Sequence, residues 1–99
     1  MARVEKITWT IEVSKDLENI FDFYVEKSST AAGRIIEDII SQVENLKFSE
    51  QHQTDELNPK YRRIVIGHYK ILYRIQGNEV FVLRAFDTRS DPNKQIIIL

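Results

Sequence analysis

"YRRIVIGHYKILYRIQGNEVFVLRAFDTR", residues 61–89, decides the fold. It consists of three β-branched and aromatic runs divided by Gly67-His68 and Gly77-Asn78. A two-residue loop with glycine first fits a type II′ hairpin turn, so the runs read as antiparallel strands Tyr61–Ile66, Tyr69–Gln76 and Glu79–Asp87. Tight loops also set the register. Ile66 then faces Tyr69, Ile64 faces Ile71 and Arg62 faces Tyr73. Across the second turn, Ile75 faces Val80, Tyr73 faces Val82, Ile71 faces Arg84 and Tyr69 faces Phe86.

That register divides the side chains between two faces. Ile64, Ile66, Tyr69, Ile71, Tyr73, Ile75, Val80, Val82 and Phe86 share one face with Arg62 and Arg84, and this face is expected to meet helices. The other face carries Tyr61, Arg63, Val65, Lys70, Leu72, Arg74, Phe81, Leu83 and Ala85. It is too apolar for a free surface, so Val65, Leu72, Phe81 and Leu83 mark a patch that something covers. The cover is either the tail "QIIIL" (95–99), as an extra strand or apolar flap, or a partner. Arg84, on the helix-facing side, requires an acidic mate, either Asp87 or one from a helix, because an unpaired buried charge is costly.

Upstream, "KITWTIEV" (6–13) alternates like a strand. Ser14 offers an N-cap, with Asp16 in the first turn. Leu17, Ile20, Phe21, Tyr24 and Val25 then form the apolar stripe of a helix from Lys15 to about Lys27. Phe23 lies off that stripe. "SST" (28–30) breaks the helix and can cap a second one, Thr30 to Lys47, with the stripe Ala32, Ile35, Ile36, Ile39, Ile40, Val43 and Leu46. Gly33 costs about 1 kcal/mol against alanine there, and a close crossing of the two helices would account for it. A polar connector, residues 48–60, leads to the strands. The order is β-α-α-β-β-β, an α+β fold in which a helical hairpin packs on an antiparallel sheet. The 99 residues suffice for a single domain spanning residues 1–99.

Composition narrows the function. No cysteine is present, which removes thiolate chemistry and disulfides and suits a reducing cytoplasm. His52 and His68 are too few for a metal site, and nothing in the sequence asks for a cofactor. No apolar run approaches a membrane span, and "MARVEKITWT" has no signal-peptide core. The formal net charge of −1 hides a segregation. Residues 1–59 hold 6 basic and 12 acidic side chains, residues 60–99 hold 8 and 3. That asymmetry suggests a nucleic acid or an acidic protein as partner, or an acidic helical layer pairing with a basic sheet.

The βααβββ order, "YRRIVIGHYKILYRI" and the ending "VFVLRAFDTRSDP" together resemble the RelE/ParE superfamily of bacterial type II toxin–antitoxin toxins. The resemblance covers nearly the whole chain, and its specific part is Tyr61–Pro92. It implies a cytoplasmic toxin of a plasmid-stabilisation or growth-control module, held in a hetero-oligomer by a cognate antitoxin. RelE-like members cleave messenger RNA in the ribosome, and ParE-like members inhibit DNA gyrase. Carried onto this chain, the RelE-like pattern matches Arg62 or Arg63, Lys70 and Arg89. An mRNA interferase would use Arg63, Lys70 and Arg89. Phosphate or target contact would fall to Arg62, Arg63, Lys70, Arg74 and Arg89. The antitoxin would lie on the helices or on Val65, Leu72, Phe81 and Leu83, with acidic side chains near Arg63 and Lys70. After Arg89, however, "SDPNKQIIIL" supplies neither tyrosine nor histidine, so a C-terminal general acid is missing. That absence favours the ParE-like reading, a binder of gyrase or another protein. An mRNA endoribonuclease and a non-toxic antitoxin-binding domain are the alternatives.

Overall fold

The computed structural model describes residues 2–97. Strand β1 (Lys6–Trp9) is followed by helices α1 (Ile11–Val25) and α2 (Ser29–Glu44), and then by β2 (Arg62–Ile66), β3 (Tyr69–Gln76) and β4 (Glu79–Asp87). The sheet order is β1-β4-β3-β2. α1 lies across β4 and α2 across β2. The β-α-α-β-β-β order is the expected one, with one difference: β1 runs parallel to β4, so the sheet is mixed.

β1 is shorter than its alternation suggests. Thr10, not Ser14, caps α1: its hydroxyl accepts the Val13 amide at 3.4 Å and donates to the Val82 carbonyl at 2.7 Å. A single side chain therefore ends the strand, starts the helix and fastens both to β4. The run Thr10–Val13, β-branched except at Glu12, reads as strand only until Val13 is placed on the helical stripe with Leu17, Ile20 and Tyr24. Ser28 caps α2 as the sequence indicates, accepting the Ala31 amide at 3.1 Å. Gly33 is not at a close crossing, because a Cβ built there meets nothing within 4 Å.

Both hairpin turns have glycine at positive φ (58° at Gly67, 60° at Gly77) and no positive φ at the residue that follows, as a type II′ turn requires. From Gly77 the derived register holds as far as Tyr73 opposite Val82. Leu83 is then an extra residue, a β-bulge, and Leu72 pairs with Arg84. The expected Ile71–Arg84 and Tyr69–Phe86 pairs become Ile71–Ala85 and Tyr69–Asp87. Ala85 thereby joins the helix-facing core, while Arg84 and Phe86 move to the outer face, opposite the assignment made from the turns.

The core lies between sheet and helices. Val13, Ile39, Val43, Ile64, Ile71, Tyr73, Val80 and Val82 are buried in one cluster, with Trp9, Leu17, Tyr24 and Ile36 packed against it. Each fully buried aliphatic side chain contributes about 1.5–3 kcal/mol relative to exposure. Along the free edge of β2, residues 53–55 add a short antiparallel segment: Arg63 N–H donates to Gln53 O at 3.0 Å and Asp55 N–H to Tyr61 O at 2.8 Å. The tail forms a 3₁₀ turn, Pro92–Gln95, and no strand through residue 97. Ile98 and Leu99 of the expected "QIIIL" element lie outside the described residues.

Candidate functional site: the outer face of the sheet

The face turned away from the helices is organised by an acidic residue from the connector. Asp55 reaches over β3, and Lys70 donates to its two carboxylate oxygens at 2.9 and 3.2 Å. The residues are 2% and 5% exposed, so this is a buried ion pair. Burial pushes the Asp55 carboxyl up, but hydrogen bonds from Lys70 and Asn58 outweigh it and hold the group below its ordinary value. Arg63 approaches the same carboxylate at 4.0 Å and donates to the Thr54 carbonyl at 2.7 Å. Sequence reasoning placed Arg63 and Lys70 on this face and missed the acid between them. Its signal was faint: Asp55-Glu-Leu-Asn58 is a turn-forming spacing inside a polar connector.

The other expected cations do not reach this carboxylate, although Arg74 shares the face as expected. Arg62 is on the helix-facing side and donates to the His52 carbonyl at 2.6 Å. Arg74 lies over the Phe81 ring at 3.9 Å and bonds Gln76, towards the β1 side of the sheet. Arg84 grips Asp16 of α1 through two bonds of 2.7 and 3.1 Å. The same carboxylate accepts the Ala85 amide where β4 runs beyond β1. The acidic mate is thus a helix residue, as one of the two expectations had it. Arg89 chelates Asp87 at 3.0 and 2.9 Å beside a cleft between α1 and the end of β4 that Ile20, Phe23 and Tyr69 also line.

Of the four apolar residues expected to meet an antitoxin, Val65 is 59% exposed, Phe81 and Leu83 are half-buried, and Leu72 is fully buried. Leu57, in the connector's turn, and Ile96, in the tail, are further exposed apolar side chains that line one cleft, unmarked by any periodicity. Groups suited to proton transfer are scarce. Burial and a hydrogen bond with Tyr24 push the Tyr69 phenol far up, and burial raises Tyr73, so both stay protonated. Burial lowers His52, leaving it neutral near pH 7. Among the described residues no group of three or more His, Cys, Asp or Glu could hold a metal ion, and no helix is long and apolar enough to cross a membrane.

Comparisons with known proteins agree with this architecture. The family model described as the ParE toxin of the parDE type II toxin–antitoxin system matches residues 7–92. A solved structure of the chromosomal ParDE toxin–antitoxin system from P. aeruginosa superposes with a TM-score of 0.72 at 26% identity, covering 83% of this chain and 94% of that one. The RelBE2 toxin–antitoxin complex from Mycobacterium tuberculosis shares the fold, with a TM-score of 0.57 at 19% identity over 92% of this chain and 97% of that one. No curated protein matches significantly.

Proposed function

We propose that this chain, which belongs to the ParE toxin family of type II toxin–antitoxin systems, acts by gripping a protein target such as DNA gyrase and not by cutting RNA. The observation that carries this reading is how its cations are engaged. Attack by a 2′-OH requires a proton acceptor, uncommitted positive charge at the phosphate and an acid for the leaving oxygen. Lys70 is held by Asp55, Arg63 by a backbone carbonyl and Arg89 by Asp87. Tyr69 and Tyr73 stay protonated and belong to the helix-facing core. Gripping a protein needs only a rigid surface. Arg74 stacked on Phe81, the exposed Val65 and the half-committed Arg63 supply aromatic, aliphatic and guanidinium contacts, the kinds that anchor interfaces.

A cognate antitoxin is the second partner, as the ParDE name of the similar structure suggests. Its apolar helix or strand lies on the helices or beside Val65, Phe81 and Leu83, with acidic side chains towards Arg63. The cytoplasm, where gyrase works, is the compartment that fits this role and a cysteine-free chain. The test runs the purified chain in a gyrase supercoiling assay and, in parallel, in cell-free translation. Supercoiling is expected to be inhibited while ribosome-bound message stays intact. Cleavage of that message with normal supercoiling would overturn the reading.

A further inference from the structure

The turn from Asp55 to Asn58 does more than neutralise Lys70. Asp55 Oδ2 accepts the amides of Leu57 and Asn58 at 3.2 and 3.0 Å and the Asn58 side-chain nitrogen at 2.9 Å. Asn58 is 5% exposed, and its side chain bonds the tail as well as Asp55. There Nδ2 donates to the Gln95 carbonyl at 2.7 Å and Oδ1 accepts the Ile97 amide at 2.7 Å. Both acceptors around Nδ2 and the donor facing Oδ1 agree on this orientation of the amide.

The carbonyl of one residue and the N–H of the residue two positions on form the pair that a neighbouring β-strand would engage. One asparagine side chain stands in for that strand. Both bonds go to main-chain atoms, and Ile96 between them is 44% exposed, so the clamp holds a backbone and does not read the intervening side chain. Open clefts adjoin it on both sides. One, of about 380 Å³, runs past Lys60 and Tyr61; the other, of about 320 Å³, reaches Arg63 and Val65. On the Gln95 side, the cleft towards Arg63 and Val65 leaves room for a longer segment than residues 95–97.

We propose that Asn58 is the centre of a binding site for an extended peptide main chain, that residues 95–97 fill it in cis, and that an extended segment of a partner protein takes the same two bonds when the tail lifts. The inference goes beyond the gyrase reading and does not rest on it. A tail tethered by a few residues faces its clamp at an effective concentration of order mM. A ligand in trans thus competes only at that concentration or when the tail is weakened.

The full-length variant Ile97→Pro weakens it without touching the clamp, because proline has no N–H for Asn58 to accept. The readout is the side-chain amide signal of Asn58 by NMR. It should move in Ile97→Pro and return towards its wild-type position when an end-blocked peptide of residues 93–97 (NKQII) is added at mM concentration. The same peptide with proline in place of Ile97 should not restore it, and one with alanine in place of Ile96 should restore it fully. An Asn58 signal unmoved in Ile97→Pro overturns the proposal. So does absence of recovery at several mM, or equal recovery with the proline peptide. Supercoiling inhibition is read separately, so failure of the gyrase reading and failure of the clamp give different results.

Discussion

Lys70→Ala separates a brace from a contact residue. The substitution leaves Asp55 buried, still bonded to the amides of Leu57 and Asn58, with Arg63 at 4.0 Å in place of a bonded cation. Removing one partner of a buried ion pair costs about 3–5 kcal/mol, against a total stability of about 5–15 kcal/mol for a domain of this kind. At about 4–8 °C per kcal/mol for a chain of this size, the melting temperature should fall by at least about 12 °C. Urea denaturation of Lys70→Ala, Asp55→Ala and the double variant checks the origin of the loss. The double variant should be far less destabilised than the sum of the single ones, because the two share one interaction. The pH dependence adds a second reading. The depressed folded value of Asp55 stabilises fully above the unfolded carboxyl value near 4 and is lost as pH falls through the folded value. Without Lys70, its hydrogen bond and charge no longer offset burial, so the Asp55 value rises and less of that stabilisation is present at neutral pH. The gap between wild type and Lys70→Ala should therefore narrow as pH falls from about 7 to about 3. A loss below about 1 kcal/mol at pH 7, combined with abolished toxicity, would refute the structural role and return Lys70 to the contact residues.

Three further outcomes are expected. Gly33→Ala should raise the urea midpoint, adding about 0.5–1 kcal/mol, since the site is helical and a Cβ there meets nothing. Thr10→Ala should lose about 1–2 kcal/mol through the cap and the bond to Val82, with Thr10→Ser recovering most of it in the same denaturation curves. Arg89→Ala should leave the melting temperature unchanged, because its pair with Asp87 is solvent-exposed. The same variant should leave supercoiling inhibition unchanged, because Arg89 lies beside the cleft between α1 and the end of β4, apart from the Arg63, Val65 and Arg74 surface proposed to grip the target.

The residues whose structure follows from local chemistry were the readable ones. Gly67 and Gly77 set both turns, and turn geometry propagates register along a strand, so the pairs from Ile66 to Arg62 and from Ile75 to Tyr73 came out right. Leu83 ended that propagation. A bulge adds one residue without leaving a mark in an apolar run, and it carried Arg84, Ala85 and Phe86 to the opposite faces. The start of α1 was misplaced for a related reason, since Thr10–Val13 satisfies both the two-residue and the helical period. The outer face was least legible. Asp55 and Asn58 sit in a connector with no periodicity, and their meaning depends on Lys70 and Gln95, which are distant in sequence and adjacent only in the fold.

The parallel pairing of β1 with β4 has a consequence for the timing of synthesis. Lys6–Trp9 can pair with β4 only when Glu79–Val82 has been made, and Thr10 waits equally for Val82. At about 5–20 residues per second, the amino-terminal strand is exposed for about 4–15 s before that partner exists. The nascent chain therefore has helices early and a closed sheet late. Any surface that needs the complete sheet, including the outer face, becomes functional only as translation ends. A cell making such a chain has those seconds in which to hold a partner ready for it.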